Sequence, residues 1–362
     1  MIDERAIADH FPHRPRGYFD HAAVSTVPVE VESAVAGVAR ALGRGTRGSS
    51  DWHELTDDVS VLLADELGVA ATAVSVLANT GTAINSVARA IPFVGGDEVI
   101  VLADDFPSPR MPWHTIPGLS VQEVATTAHA DRTTALIAAI SPGTRAVSVT
   151  HVHATTGDVL DLARLHDACV SADALLIVDG AQAAGLLPGA ARDADVYVAA
   201  SYKWLLAGFG AAVVATGERF DDRAVPGLIG YMNEPPSPRL AVGHSNLFGM
   251  AALQAAARVR QGIGLEAIRA HTLSLARRIA DGAADLGLPP AVAEPASGIV
   301  SLTVADAPTL TDRLKDRGIT TTVRDGALRV SPYLTTTHDD VDLLLSALTE
   351  LAPAHHPHGG HS

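Results

Sequence analysis

The chain has 362 residues, is 47% hydrophobic and carries a formal net charge of −15. Such a chain is globular rather than disordered, and long enough for one large domain and a smaller one. Its acidic balance argues against nucleic acid or an anionic membrane surface as a partner, and Gly, Asp, Arg or Pro interrupts every apolar run before it could span a membrane.

Residues 1–30 read as mostly irregular, with YFDHAAVSTVP at 18–28 as an extended piece. The start, MIDERAIADHFPHR, lacks the apolar core of a signal peptide, so a cytoplasmic protein is expected. Helices at 28–42 and 53–67 flank a Gly- and Ser-rich loop. From there β and α alternate. Strands at 74–77, 98–102, 119–124, 145–150, 174–178, 196–200 and 211–215, with a helix at 158–172 among the segments between them, predict a mainly parallel sheet covered on both faces. The first strand ends at Asn79-Thr80-Gly81-Thr82, where a helix begins. Small residues at such a turn leave backbone N–H groups at a helix N-terminus. That geometry binds phosphate, and an ordinary N-cap has the same appearance.

Beyond Gly217 the pattern changes. A loop rich in Pro and Gly at 221–239 precedes a helix at 246–260 that ends at Gly262, and then a long amphipathic helix at 265–286. Short strands at 299–304, 319–323 and 327–330 alternate with helices at 310–317 and 338–351, which makes a small α+β domain. The tail, 354–362, holds four histidines. Proline and glycine there favour a disordered end over a fixed metal site. The only cysteine, Cys169, excludes an intramolecular disulfide and a cysteine-rich metal site. It follows Leu162 and Leu165 at helical spacing and reads as core.

The most informative stretch is LLIVDGAQAAGLLPGAARDADVYVAASYKWLLAGF, residues 175–209. One apolar strand ends in Asp179, and a second delivers Ser201, Tyr202 and Lys203. A carboxylate and an amine thus stand at the ends of adjacent strands, where an α/β sheet gathers a ligand. Only two lysines occur, Lys203 and Lys315; arginine supplies the positive charge elsewhere. Arginine cannot be deprotonated in a protein, so it cannot serve as an amine nucleophile. A lysine kept among Tyr202, Trp204, Leu205 and Leu206 points to amine chemistry such as a Schiff base. Lys315 lies in a polar helix and has no assigned role. A nicotinamide-binding fold is the obvious rival, but no G-x-G-x-x-G follows a strand, and GFGAAV at Gly208 lacks the third glycine.

From YFDHAA to RVSPYLTTTHDDVDLL, and most of all in VDGAQAAG and SYKWLLAGFG, the chain resembles the fold-type-I pyridoxal-phosphate (PLP) enzymes of the class V aminotransferase group. That group includes cysteine desulfurases, isopenicillin N epimerase-like proteins, kynureninases and ergothioneine-type C–S lyases. The resemblance implies an α/β fold with a large domain, built on a mainly parallel seven-stranded sheet, plus a small α+β domain. Its divisions would be an N-terminal segment (1–25) reaching the site, a PLP-binding domain (26–262), the small domain (263–352) and the His-rich tail (353–362). It implies pyridoxal 5'-phosphate as cofactor, a small amino acid as substrate and a homodimer.

Carried over residue by residue, the resemblance makes Lys203 the Schiff-base lysine and proton carrier. Asp179 would pair with the pyridinium nitrogen, and Gln182 would hydrogen-bond the phenolic oxygen. Phe106 would stack on the ring, where desulfurases commonly carry a histidine. Gly81 and Thr82 match the phosphate turn, and Tyr202 a phosphate contact. His244, in RLAVGHSN, stands where the family has a threonine that reaches a neighbouring subunit's phosphate. Arg329 matches the arginine that grips the α-carboxylate, with Arg324 near a second family arginine. His21 falls where the N-terminal segment enters the site, as a substrate contact, a proton donor or a structural residue. Of His151 and His153, which alternate in direction, at most one should face the cofactor, and His153 is the better placed.

One departure bears on the reaction. Desulfurases carry a mobile loop with a persulfide-accepting cysteine shortly before the carboxylate arginine. Here that place reads VRDGALRV, short and without cysteine. The expected reaction is therefore β-elimination from a cysteine derivative. Transamination and epimerisation are the alternatives, and a PLP-binding protein without catalysis is the non-enzymatic one.

Overall fold

Continuous apolar runs decide the architecture. LLIVD and VYVAA are buried at every position, as strands covered on both faces must be. The structure is a computed structural model that describes residues 2, 4–48, 52–126, 131–233 and 240–351. Its main sheet holds β1 (Val74–Leu77), β2 (Glu98–Leu102), β3 (Ser120–Val124), β4 (Thr144–Thr150), β5 (Leu175–Asp179), β6 (Val196–Ala200) and β7 (Ala212–Thr216), in the order β1-β7-β6-β5-β4-β2-β3. β7 runs antiparallel to both its neighbours, and the other pairs are parallel. The carboxyl ends of β2, β4, β5 and β6 therefore share one edge. Phe106, His153, Asp179 and Lys203 all lie at or just beyond those ends, where ligands of open α/β sheets bind.

A second sheet is antiparallel: β8 (Val300–Leu302), β9 (Thr322–Arg324) and β10 (Ala327–Val330), with β10 in the middle. It has its own apolar core, which takes in Phe19 from the N-terminal segment. The helix Leu265–Asp285 crosses between cores: Ile268 packs in the first, and Leu275 and Ile279 in the second. Residues 18–20 thread beside the small sheet through parallel bridges from Tyr18 to Thr320 and from Asp20 to Ser331.

Several local expectations are corrected. Residues 1–30 are not all irregular, because Glu4–His10 is a helix whose Ile7 is buried in the first core. The helix expected at 158–172 spans only Leu162–Ser171, capped by Asp161. The preceding residues instead fold back on β4, with Val159 paired to Val152 and the amide of Leu160 donating to His151 O. The helix expected to stop at Gly262 runs to Ile263, and Gly264 at φ 92 ends it. The strand expected at 319–323 is Thr322–Arg324, since Thr320 bridges to Tyr18 instead. Cys169 lies in the core, and burial pushes its thiol up to about 12. The histidine tail lies outside the described residues, as does Arg239. Among the described residues no helix is long and apolar enough to cross a membrane, and no group of three or more His, Cys, Asp or Glu is placed to hold a metal.

One buried ion pair ties the helices to the lysine turn. Arg260 is fully buried; its Nη2 lies 2.7 Å from Glu66 Oε2, and its Nη1 donates to the carbonyl of Leu205. Removing one partner leaves an uncompensated charge in the core. Glu66→Leu should cost about 3–5 kcal/mol in urea denaturation, and Glu66→Leu with Arg260→Met should recover much of that loss. Strictly additive single effects would contradict the pairing.

Candidate active site

The turn after β6 builds the centre of the site. Ser201, at the strand end, accepts the amide of Ala207 through its backbone oxygen and donates its Oγ to Gly208 O at 2.6 Å. Inside this loop Leu206 takes a left-handed φ of 58, uncommon for a buried non-glycine residue. Tyr333, fully buried, holds the turn from the small-sheet side: its hydroxyl lies 2.8 Å from Trp204 O and 2.7 Å from Gly185 O. Lys203 is consequently buried to 9% exposure, with Nζ 5.7 Å from the ring centroids of both Phe106 and Tyr202. Burial pulls its amine down to about 8; Arg329 and Arg324 add to the fall, and Asp179 opposes it.

Asp179 closes β5. Its Oδ1 accepts the Ala181 amide at 3.0 Å, and burial pushes its carboxyl up to about 6 against the pull of that bond and of Lys203. The next residue must be glycine, because a Cβ at Gly180 would lie 2.1 Å from the ring of Tyr197. That phenol lies 3.1 Å from His151 Nδ1, so His151 is buried beneath the site while His153 reaches the cavity, as alternation along the chain requires.

The cavity has a volume of about 550 Å³. Phe106, His153, Gln182, Tyr202 and Lys203 line it from the main sheet, and Arg324 and Arg329 from the small one. Gln182 is oriented at both ends: Nε2 donates to Ala22 O, and Oε1 accepts from Trp204 Nε1. The Thr156 amide donates to His153 Nδ1, which places the ring proton on Nε2, directed at Asp104 O 3.0 Å away. Tyr202 stacks on Phe209 with centroids 4.4 Å apart. Arg329 is 2% exposed. Its Nη1 donates to Ala154 O at 2.9 Å, its Nη2 lies 3.4 Å from Asp20 Oδ1, and its buried Nε has no partner.

Four expected residues lie elsewhere. Gly81 and Thr82 open the helix Thr80–Ala90 but do not line the cavity. Asn79 caps this helix by accepting the Thr82 amide. His244 is exposed, its ring edge-on to Tyr231 at 5.6 Å. His21 does not line the cavity either. It is fully buried between Ser25 Oγ and Thr335 Oγ1, and burial holds its ring well below the usual range, at about 3. It is thus a neutral structural residue, and Ala22 and Ala23 beside it face the site.

Sequence reasoning missed the acids. Asp105 is buried and accepts from the Thr150 amide, the Thr150 hydroxyl and the Phe106 amide, which fixes the turn carrying Phe106. Asp104 lines the cavity and pairs with buried Arg132 at 2.8 Å. Both follow β2 directly, a position that marks them as candidates. Asp20, the counter-charge of Arg329, carries no local signal.

The fold is that of fold-type-I PLP-dependent enzymes. A cysteine desulfurase from Thermococcus onnurineus NA1 superposes with a TM-score of 0.86 at 22% identity, over 97% of this chain and 98% of that one. The cystine C–S lyase C-DES, in complex with cysteine persulfide, superposes with a TM-score of 0.85 at 21% identity, over 93% and 98%. The Aminotransferase class-V profile matches residues 17–344, so the chain belongs to that family and is a PLP-dependent enzyme. A probable cysteine desulfurase of Pyrococcus abyssi is 24% identical over 79% of this chain and 78% of its own length. A kynureninase of Deinococcus radiodurans is 28% identical over 71% and 68%. The residues suit the cofactor: a buried amine of lowered basicity, a buried carboxylate at the next strand end, and a cavity lined by Phe106, Tyr202 and three arginines.

Two predictions follow from the charges. Capture of PLP by the empty protein should quicken about tenfold per pH unit up to about 8 and then level off, because only the neutral amine attacks. Stopped-flow absorbance measures this; a midpoint near 10.5 would contradict the burial effect. The folded-state carboxyl of Asp179 lies above its unfolded value of 3.8, so folding loses stability as pH rises from about 4 to about 6, and the whole penalty is present above that. Asp179→Asn should therefore raise the melting temperature of the empty protein at pH 7, by the equivalent of about 3 kcal/mol, yet weaken PLP binding.

Proposed function

We propose that this PLP-dependent enzyme catalyses β-elimination from a cysteine derivative and releases the sulfur as a free thiol. The observation that carries this reading is the hairpin before Arg329. β9 and β10 are joined through Asp325 and Gly326, at φ 46 and 80, the two-residue turn with the tightest reversal of direction. Such a turn has no room for a mobile loop bearing a thiol. Cys169, with its thiol raised to about 12, is buried in the helix Leu162–Ser171 within the first core and does not line the cavity. Sulfur thus has no acceptor on the chain. The likeness to the C–S lyase C-DES supports the same reading.

When bound, the cofactor supplies an aldehyde and a ring that accepts electron density from the substrate's Cα. Lys203 would hold the cofactor through its amine, and the same amine would serve as the base for the substrate's Cα proton. Asp179 would hold a proton at the ring nitrogen, and Gln182, oriented by Ala22 O and the Trp204 indole, would donate to the phenolic oxygen. Phe106 covers a face of the ring, with His153 fixed nearby. Tyr202, which lines the cavity, would receive the phosphate together with the start of the helix Thr80–Ala90, where the Gly81 amide is the candidate donor because the Thr82 amide is held by Asn79. Arg329, held in place by Asp20 and Ala154 O, would take the α-carboxylate. Overall the Cα–H and Cβ–S bonds break, the thiol leaves with a proton, and one water converts the remainder to pyruvate and ammonium.

The same reading takes residues 26–262 as the cofactor-binding domain and 263–352 as the carboxylate-gripping one, in a homodimer whose second subunit meets the phosphate through His244. The test is product analysis. A panel of cysteine S-conjugates should give pyruvate and ammonia in equal amounts without an added keto acid. Amino transfer that requires a keto acid would replace this proposal with transamination, and racemised substrate would replace it with epimerisation. Borohydride reduction should attach the cofactor to the peptide containing Lys203, and Lys203→Ala should lose at least a thousandfold in activity.

A further inference from the structure

Three guanidinium groups line the cavity, and their partners differ. Arg329 is held by Ala154 O and Asp20. Arg110 donates to Ala103 O at 2.8 Å and lies 3.7 Å from Glu123. Arg324 makes no hydrogen bond and no ion pair among the described residues.

The nearby acids are engaged elsewhere. Asp104 pairs with Arg132, and Asp105 is taken by Thr150 and the Phe106 amide. Asp325, next in sequence to Arg324, accepts the hydroxyl of Thr155 at 2.6 Å. That last bond matters for position, because Thr155 belongs to the loop after β4 while Asp325 is the tip of the hairpin. The bond ties the hairpin to the loop after β4 along the cavity lining, and Arg324 stands on the same lining beside it. Arg324 also lies near enough to depress the basicity of both Lys203 and Arg329. A cation without a counter-charge, on a clamped turn, beside the groups that receive the amino acid, is a site for an anion.

We propose that Arg324 is a second anion receptor, and that the preferred substrates carry a carboxylate or sulfonate on the side chain in addition to the α-carboxylate held by Arg329. Placing that anion on the group that leaves with sulfur rests on the elimination reading; the receptor itself does not. The cofactor's phosphate is the competing anion. It is assigned to the start of the helix Thr80–Ala90, which hangs from β1 at the other edge of the sheet from β3 and belongs to a different sheet from Arg324.

The experiment uses pairs of matched shape on the PLP-loaded enzyme. Turnover compares S-carboxymethylcysteine with S-ethylcysteine by pyruvate release. Binding compares their sulfur-free analogues, 2-aminoadipate and norleucine, by titration of the cofactor's visible spectrum. The anionic member of each pair should be favoured tenfold or more. In Arg324→Gln both ratios should fall toward one, and Arg324→Lys should keep part of the preference. If neither thioether gives pyruvate but 2-aminoadipate still binds tenfold more tightly through Arg324, the receptor stands and the elimination reading fails. Ratios near one in the unaltered enzyme overturn the proposal, as do ratios unchanged in Arg324→Gln. A loss of PLP affinity in Arg324→Gln that is absent with pyridoxal, which lacks the phosphate, overturns it too, because Arg324 is then a phosphate ligand.

Discussion

A single buried amine sets the terms for the rest of the molecule. Lys203 sits where charge is costly, on a turn whose Leu206 adopts a conformation worth about 1–3 kcal/mol of strain. Nothing local maintains such a turn. It persists because distant residues fasten it: Tyr333 against Trp204 O, Arg260 against Leu205 O, and Gln182 against the Trp204 indole. Each of these is itself buried and satisfied by another partner, so the helices, the β5 turn and the segment after the small sheet all converge on residues 201–208. The reward for this convergence is a lysine that loses its proton near neutral pH.

The electrostatics of the site follow from the same burial. Asp179 and Lys203 attract each other, yet desolvation is the larger effect for both and pushes each toward its neutral form. An acid whose pKa has risen and a base whose pKa has fallen are both nearer the pH at which protons are exchanged. The arginines of the small sheet add to the effect on Lys203 without touching it. The two sheets thus contribute different groups to one cavity: the large one Phe106, His153, Gln182 and Lys203, the small one the cations Arg324 and Arg329.

What could be read from the sequence was what repeats locally. All seven strands of the large sheet stand within a residue of their expected places, because apolar runs closed by Gly, Asp or Asn leave little choice. Lys203 and Asp179 were legible because an amine in an aspartate- and arginine-rich chain, at a strand end, is chemically conspicuous. The misses have one cause. The helix at 162–171 starts late because Val159 and Leu160 bond back to β4, and the N-terminal helix exists because Ile7 finds the first core. His21 stands out in FDHAA as an imidazole, but burial removes its charge, while its neighbour Asp20 gains its importance only from Arg329, far along the chain. Pairings such as Thr155 with Asp325 or Glu66 with Arg260 leave no periodic trace.

The N-terminal segment shows how such long-range pairings become function. Within eight residues it reaches Arg329, Gln182 and the turn that carries Lys203. Phe19 enters the core of the small sheet, and Asp20 holds Arg329 and accepts the Thr322 hydroxyl. Ala22 O receives Gln182, and the amide of Ser25 donates to Tyr202 O, next to the lysine. Backbone dimensions are fixed, so a segment pinned at Asp20 and at Ser25 fixes the separation of Arg329 from Lys203. Phe19, His21 and Ala22 are fully buried at this junction, so a shift there would move Arg329 relative to Lys203 and disturb any ligand held between them.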